Sequence, residues 1–302
     1  MITIPPPLQP GDTICIVCPA GYMPFEKAQT CINTLQQWGF TVKLGTTLGS
    51  QYHYFSGTDD ERLADIQAML DDTSIKAVLC GRGGYGVSRI IDRIDFSAFN
   101  QNPKWIIGYS DITVLHAHLY NTLHTASLHS PMAGAFNDCG SDDIFIQSLR
   151  NAITGTTMAY HTNIHPLNVQ GSAVGPLVGG NLTLVAHLIG SPSSAKTKNT
   201  ILFLEDVGEY LYNIDRMFIQ LKRAGLLDGL AGLIIGGFTE MKDTVVPFGQ
   251  QGYELILDKV KEYGYPVCFG FPVGNTANNY ALKVGVEHRL VVADFGVTLK
   301  EL

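Results

Sequence analysis

Residues 80–118 read CGRGGYGVSRIIDRIDFSAFNQNPKWIIGYSDITVLHAH, and this stretch contains two places where a strand is followed by a turn and a helix. The apolar segment 75–79 leads into closely spaced glycines, and residues 105–107 lead into Gly-Tyr-Ser-Asp at 108–111. Apolar residues then recur at helical spacing. This alternation of strand and helix predicts a mostly parallel sheet wound with helices in the first half of the chain.

Turns of this kind lie at the carboxyl ends of parallel strands, where backbone amides and helix N-termini bind ligands. Ser110 is therefore a candidate nucleophile, and the glycines at 81–86 offer N–H groups to an oxyanion. An alternative stays open, because serine before a helix is a common N-cap and glycines form ordinary turns. Ser110 also lacks the second glycine of a G-x-S-x-G elbow, since Ile112 occupies that position.

The composition is that of a globular protein. The chain has 302 residues, 45% hydrophobic and 16% charged, which is enough for two domains. A formal net charge of -7 argues against binding to nucleic acid or to an anionic membrane, so we expect a small or peptidic ligand. The sequence shows no signal-peptide pattern and no stretch long enough to span a bilayer, and we expect a cytoplasmic protein.

The six cysteines do not have the pattern of a disulfide framework or a zinc site. Cys15 and Cys18 form a C-x-x-C, but they point to different faces at a strand, and no second pair or nearby histidine completes a ligand set. We therefore expect buried thiols that pack as small hydrophobic side chains.

The character of the sequence changes about halfway along the chain, where the helical pattern fades and Thr, Asn and Gly become frequent. We predict an N-terminal α/β domain over residues 1–150, a linker over 151–172 and a C-terminal domain over 173–302. The last of these is expected to end in a β-hairpin formed by Leu290–Ala293 and Val297–Lys300.

The second half contains two further candidate sites. An apolar strand, Ile201–Leu204, runs into Glu205 and Asp206, and a carboxylate at the end of a buried strand is well placed to orient a catalytic base. An ion pair with Arg216 is the alternative explanation for these carboxylates. The other candidate is the polar loop 274–279, which follows a strand and is a position where a catalytic histidine is expected.

Several motifs, in this order and at these separations, resemble the LD-carboxypeptidases, serine peptidases that trim murein tetrapeptides and whose relatives include the microcin C self-immunity peptidases. The resemblance covers nearly the whole chain. Its motifs are V-x-P-A-G at Val17–Gly21, R-G-G-Y-G at Arg82–Gly86, I-G-Y-S-D at Ile107–Asp111, H-S-P-M at His129–Met132, G-G-N-L at Gly179–Leu182, L-E-D-V-G-E at Leu204–Glu209, I-D-R-M at Ile214–Met217 and P-V-G at Pro272–Gly274.

The resemblance implies an α/β fold with an N-terminal, mostly parallel wound sheet and a β-rich, swivelling C-terminal α/β domain. It also implies a Ser-Glu-His arrangement divided between the domains, with Ser110 as nucleophile and Glu205 as the acid that orients the base. The amides of Gly84 and Asp111 fall on the oxyanion positions. Members need no metal or organic cofactor, and they are commonly homodimers.

The substrate implied by the resemblance is a murein tetrapeptide, from which the terminal D-alanine is released. Four residues of the motifs are candidates for binding it: Arg82, Tyr109, His129 and Asn181. Arg82 is a candidate anchor for the terminal carboxylate, with a surface ion pair as the alternative. Ser130 replaces the glycine usual beside His129, a change expected to narrow the pocket.

The chain departs from the family at the base. Members have histidine in a G-H-x-x-x-N pattern, and here Gly274 and Asn279 match while Asn275 occupies the histidine position. Asparagine has no titratable nitrogen and does not take up the serine proton near neutral pH, so impaired turnover is expected. Three other histidines are weak replacements on their sequence positions: His116, His118 and His288.

Two other functions stay open. One is a catalytically silent binder of peptidoglycan fragments. The other is an amide hydrolase acting on peptidyl-nucleotide compounds, for which an aromatic side chain of the Tyr210–Tyr212 loop would supply stacking. A dinucleotide site is disfavoured, because the glycines at 81–86 do not form G-x-G-x-x-G.

Overall fold

The computed structural model describes residues 2–302, except for the side chain of Cys139. The chain divides into two compact units. The first runs to Thr156 and includes Tyr280–Lys283, and the second comprises Thr157–Asn279 and Val284–Leu302.

The elements alternate along most of the chain. Within residues 2–302 the strands are β1 (Thr13–Val17), β2 (Thr41–Leu44), β3 (Ile75–Cys80), β4 (Trp105–Gly108), β5 (Ser127–His129), β6 (Ala159–Thr162), β7 (Gly171–Asn181), β8 (Ile201–Val207), β9 (Gly232–Thr239), β10 (Val267–Phe269), β11 (Leu282–Val284), β12 (Glu287–Ala293) and β13 (Gly296–Glu301). The α-helices of the same residues are α1 (Gln29–Gln37), α2 (Asp59–Asp71), α3 (Ser97–Gln101), α4 (Thr113–Leu123), α5 (Phe136–Cys139), α6 (Ile144–Ile153), α7 (Leu182–His187), α8 (Leu211–Arg223) and α9 (Gly252–Val260).

The first sheet has the order β11-β5-β4-β3-β1-β2. Strands β1 to β5 pair in parallel, which confirms the predicted wound sheet. The register joins Val17 to Cys80 and Gly108 to His129, so the carboxyl ends of these strands lie at one edge. The central strands are apolar and buried, as is usual when both faces of a parallel sheet are covered.

Helix α2 shows how local sequence starts an element of this unit. The Thr58 hydroxyl accepts a hydrogen bond from the Glu61 amide, and the Glu61 carboxylate accepts one from the Thr58 amide, which together form a capping box. Acidic residues in the first turn also interact favourably with the positive end of the helix dipole.

The second sheet has the order β10-β9-β8-β7-β12-β13-β6. Strands β7 to β10 pair in parallel and the rest pair antiparallel, so this unit is a mixed α/β unit rich in strands. Strands β12 and β13 form the predicted hairpin, which turns between Ala293 and Gly296.

Two features differ from the predicted segmentation. Part of the expected linker forms strand β6, which pairs with β13 at the edge of the second sheet. Tyr160 is the buried residue of this strand, so the segment carries little apolar pattern. The chain also returns to the first sheet at β11, a non-local pairing that local periodicity does not encode.

Five cysteines are buried and form no disulfides, as predicted: Cys15, Cys18, Cys31, Cys80 and Cys268. Desolvation raises the pKa of Cys18 to about 12, so this thiol stays protonated and unreactive at neutral pH. The side chain of Cys139 lies outside the described residues. No helix formed by residues 2–302 is long and apolar enough to cross a membrane.

Candidate active site

Ser110 lies immediately after β4, at the start of a short 3-10 turn that precedes α4. Its backbone is in the left-handed region, with φ +62, which is unfavourable for a residue that has a Cβ. Tyr109 is the N-cap of this turn and Ile112 is the N-cap of α4, and neither side chain makes a capping hydrogen bond. Ser110 therefore occupies neither N-cap position, and the alternative of an ordinary helix cap is wrong.

The glycine turn packs directly against Ser110. A Cβ placed on Gly83 would lie 2.9 Å from the Ser110 Cβ and 3.1 Å from its Oγ. Gly84 has φ +104, and a Cβ there would lie 2.9 Å from the Tyr54 hydroxyl. The Asp111 carboxylate accepts a hydrogen bond of 2.8 Å from the Val87 amide, which ties the serine turn to the end of the glycine turn. The glycines are thus required by close packing as well as by backbone conformation.

Tyr109 and His129 accompany Ser110 at the same edge of the first sheet. Gly108 and His129 are register partners, and the ring centroids of Tyr109 and His129 are 5.9 Å apart. His129 is buried, as is Ser130, whose hydroxyl has no hydrogen-bond partner within residues 2–302. The first unit therefore brings together four of the predicted residues, Tyr109, Ser110, Asp111 and His129, with the glycine turn beside them.

Arg82 projects from the glycine turn and is exposed. It donates a hydrogen bond of 2.8 Å to the Tyr22 carbonyl oxygen. Among the described residues no carboxylate lies within ion-pair distance of it. The alternative of a surface ion pair for Arg82 is therefore wrong. Its guanidinium is exposed to solvent, and most of its five N–H donors are available to a ligand.

The histidines considered as replacement bases are held by packing or by hydrogen bonds within the fold. His116 is buried, with Nδ1 2.8 Å from the Ser127 hydroxyl and Nε2 2.8 Å from the Gly108 carbonyl oxygen. Burial lowers the pKa of His116 to about 4, so its ring is neutral at neutral pH. His118 stacks on Phe96, and His288 is buried on β12.

In the second unit, Asn181 and Glu205 are register partners at the carboxyl ends of β7 and β8. Glu205 is fully buried, and its Oε2 accepts hydrogen bonds from the backbone N and the Nδ2 of Asn275, at 3.2 and 3.1 Å. Its Oε1 has no hydrogen-bond partner in the described part of the chain. Burial and the nearby Asp206 raise the pKa of Glu205 to about 7, although the Asn275 donors act in the opposite direction.

Two glycines let the loop that carries Asn275 approach Glu205. A Cβ on Gly274, whose φ is +123, would lie 2.6 Å from the Glu205 Cβ, and one on Gly236 would lie 2.5 Å from the Val273 carbonyl oxygen. The Asn279 side chain accepts a hydrogen bond of 3.0 Å from the Gly274 amide and closes the loop. This contact explains why the glycine and the second asparagine occur together.

Asp206 has a different role from Glu205. It accepts hydrogen bonds from Asn181 Nδ2 at 2.9 Å and from the amide and hydroxyl of Thr183 at 2.9 and 2.8 Å, which fixes the start of α7. Arg216 forms no ion pair with either carboxylate within the described residues, and its guanidinium lies over the Tyr212 ring at 5.3 Å. The ion pair proposed as an alternative for Glu205 and Asp206 is therefore wrong.

Residues 2–302 contain no group of three or more His, Cys, Asp or Glu side chains arranged to hold a metal ion. Two residues that contact the glycine turn, Tyr54 and Arg62, were not predicted from the sequence. No sequence pattern around Tyr54 indicates that it contacts the glycine turn. Arg62 could have been found, because it lies on the apolar face of α2, four and seven residues before Ile66 and Met69. An arginine at such a position indicates a buried charge.

Comparison with known proteins identifies the family of this chain. The family model for the LD-carboxypeptidase N-terminal domain matches residues 14–130, and the model for the LD-carboxypeptidase C-terminal domain matches residues 174–290. A probable murein peptide carboxypeptidase of Bacillus subtilis is 36% identical, over 96% of this chain and 92% of its own. The murein tetrapeptide carboxypeptidase of Pseudomonas aeruginosa is 28% identical, over 92% of each chain.

Solved structures show the same fold. The muramoyltetrapeptide carboxypeptidase of Oxalobacter formigenes matches with a TM-score of 0.87 and 27% identity, over 96% of this chain and 98% of its own. The microcin C7 self immunity protein MccF, in complex with aspartyl sulfamoyl adenosine, also has a TM-score of 0.87 but only 22% identity, over 100% and 99% of the chains. The chain belongs to the LD-carboxypeptidase family and is a serine-type hydrolase.

Proposed function

We propose that this protein releases the terminal D-alanine from murein tetrapeptide fragments, with turnover reduced by the asparagine at position 275. The observation that carries the proposal is the serine held at φ +62 after β4, with a glycine turn packed against it. Relatives named as murein peptide and murein tetrapeptide carboxypeptidases support the choice of substrate.

In the proposed reaction, the Ser110 hydroxyl attacks the carbonyl carbon that joins the L-centre of the diamino acid to D-alanine. The amides of Gly84 and Asp111 stabilise the oxyanion that forms. Arg82 binds the carboxylate of the D-alanine, since its guanidinium is exposed and has no carboxylate partner among the described residues. Tyr109 and His129 line the substrate site beside Ser110.

Glu205 is the proposed acid that orients the base, and Asn181, its register partner, is proposed to contribute to substrate binding. Asn275 donates an N–H to the Glu205 carboxylate, as a neutral imidazole would. Its remaining side-chain atom is an amide oxygen, which does not accept the serine proton near neutral pH. Asn275 therefore keeps the hydrogen bond to Glu205 but cannot act as the general base. Only residual catalysis from substrate binding and the oxyanion site is expected.

We further propose that the protein works in the cytoplasm, in peptidoglycan recycling, as a homodimer. The net charge of -7 supports a peptide ligand over nucleic acid or an anionic membrane. The dimer is proposed on the family resemblance.

The test compares three proteins: the chain itself, Asn275→His, and Asn275→His combined with Ser110→Ala. Each is incubated with a murein tetrapeptide, and free D-alanine is measured. We expect Asn275→His to release D-alanine at least about 100-fold faster than the chain itself, in line with the contribution of a positioned base. The double variant is expected to lose that gain, and an Asn275→His variant without release contradicts the proposal.

The asparagine also supports a second candidate, a silent binder of peptidoglycan fragments. This candidate predicts measurable fragment affinity by calorimetry and no turnover even in Asn275→His. The peptidyl-nucleotide alternative has less support. Tyr210 and Tyr212 stack on each other with centroids 5.4 Å apart, and Lys242 and Arg216 lie over their rings, so both tyrosines already have packing partners.

A further inference from the structure

We propose that Arg62 is a positioning residue that holds the glycine turn in place beside Ser110. The inference deepens the proposed function and rests on it for the catalytic consequence. The role of Arg62 in holding the turn rests on the first unit alone.

Arg62 is a buried charge. Its side chain is 0% exposed, on the face of α2 that also buries Ile66 and Met69. A guanidinium in such surroundings is tolerated only when it is paired and its donors are satisfied. Nη2 forms an ion pair of 2.5 Å with Asp59, and the guanidinium carbon lies 4.9 Å from the centre of the Phe55 ring.

The remaining donors of Arg62 connect three segments of the first unit. Nη1 donates to the Pro19 carbonyl oxygen at 2.5 Å and to the Gly86 carbonyl oxygen at 2.9 Å. Nε donates to the Gly57 carbonyl oxygen at 3.3 Å. Pro19 follows β1, Gly86 ends the glycine turn after β3, and Gly57 precedes α2. One side chain therefore joins the loops at the carboxyl ends of two neighbouring strands.

This network reaches Ser110 from both ends of the glycine turn. At one end, a Cβ on Gly86 would lie 2.6 Å from Arg62 Nη1, so only glycine allows this close approach. At the other end, the Gly21 amide, two residues after Pro19, donates to the Gly83 carbonyl oxygen at 3.0 Å. Gly83 is the glycine that packs on Ser110. Loss of the Arg62 contacts is expected to loosen the turn that carries the proposed oxyanion donor.

Lys104 provides a matched control. It is also a buried cation, and its Nζ donates to the carbonyl oxygens of Met69, Leu70 and Asp72 at 3.0, 2.9 and 2.7 Å. It precedes β4, at the opposite end of that strand from Ser110. Its removal leaves carbonyl groups unsatisfied, as removal of Arg62 does, but far from the glycine turn.

The experiment measures amide hydrogen exchange and steady-state kinetics for Arg62→Lys, Arg62→Met and Lys104→Met, all made in the Asn275→His protein. Lysine keeps the charge but lacks the planar fork that reaches several acceptors at once. We expect exchange in residues 81–87 to be about tenfold faster in Arg62→Lys, with kcat about tenfold lower and KM little changed. Lys104→Met is expected to lower Tm while leaving both readouts at the parent level.

Two outcomes overturn the inference. In one, folded Arg62→Lys exchanges and turns over like the parent. In the other, Lys104→Met lowers kcat as much as Arg62→Lys does, which would make the effect one of general stability. If Arg62→Met does not fold, Arg62→Lys decides alone. A parent that releases no D-alanine contradicts the proposed function, whereas faster exchange in residues 81–87 of Arg62→Lys still supports the role of Arg62 in holding the turn.

Discussion

Asn275 directs both of its N–H donors, the backbone N and Nδ2, at the same carboxylate oxygen of Glu205. The other oxygen of this carboxylate is buried and has no hydrogen-bond partner within the described residues. Burial removes water from this carboxylate and favours the protonated form of Glu205. Burial and the neighbouring Asp206 raise the pKa of Glu205 to about 7, and the hydrogen bonds from Asn275 and Asn181 reduce that shift.

Glu205 therefore makes stability depend on pH. Its pKa rises from 4.5 in the unfolded chain to about 7 in the folded one, so the folded state binds the extra proton and stability falls as pH rises through that interval. The penalty is complete above about pH 7 and amounts to about 3 kcal/mol. Glu205→Gln removes it, so urea denaturation is expected to show a growing advantage of this variant from about pH 5 to pH 8.

Glu61→Gln serves as a control for this prediction. The Thr58 backbone and hydroxyl lower the pKa of Glu61, so its contribution is present above the unfolded pKa and is lost as pH falls. Glu205→Gln should therefore gain stability relative to the parent as pH rises towards the folded pKa of about 7, whereas the deficit of Glu61→Gln should shrink only as pH falls below 4.5. Parallel curves for Glu205→Gln and the parent would mean that Glu205 is ionised in the folded protein at all these pH values.

Ser110 is expected to carry a cost in stability. Glycine adopts φ +62 without a steric cost, whereas serine and alanine adopt it at a cost of about 1–2 kcal/mol. Ser110→Gly should therefore be about 1 kcal/mol more stable than Ser110→Ala, after the larger entropy of the unfolded glycine chain is subtracted. Urea midpoints of the two variants measure the difference. Equal midpoints would show that the left-handed backbone at this position stores no strain.

Gly83 tests the packing of the glycine turn on the nucleophile. Its own φ is not in the left-handed region, so Gly83→Ala acts through the clash with Ser110. With Gly83→Ala and its control both made in the Asn275→His protein, which restores the base, we expect the rate at which a fluorophosphonate labels Ser110 to fall about tenfold. Gly134→Ala is the control, because its nearest neighbour is a carbonyl oxygen at 3.9 Å. A Gly83→Ala protein labelled at the parent rate would contradict the prediction.

Gly274 tests the approach of the Asn275 loop to Glu205. Gly274→Ala combines a φ of +123 with a Cβ only 2.6 Å from the Glu205 Cβ, and is expected to lower the free energy of unfolding by more than about 3 kcal/mol. Gly264→Ala, with φ +74 and open space around it, should cost about 1 kcal/mol through backbone strain alone. Similar losses for the two variants, measured by urea denaturation, would exclude a steric role for Gly274.

The sequence by itself was enough to predict the alternating elements, the terminal hairpin and the serine turn after β4. Each of these depends on side-chain periodicity, or on residues within four positions of one another, and such signals survive without knowledge of the fold. The order of the family motifs also revealed the asparagine at the base position before any geometry was known.

Only the tertiary structure decided the contacts between distant segments. Asn275 reaches Glu205 across 70 residues of sequence, Arg62 joins loops that follow two different strands, and β11 returns to the first sheet. Periodicity reports which face of an element is buried but not which segment covers it. Strand register and the absence of a Cβ at Gly83 and Gly274 set those partners, because they determine how closely two backbones can approach.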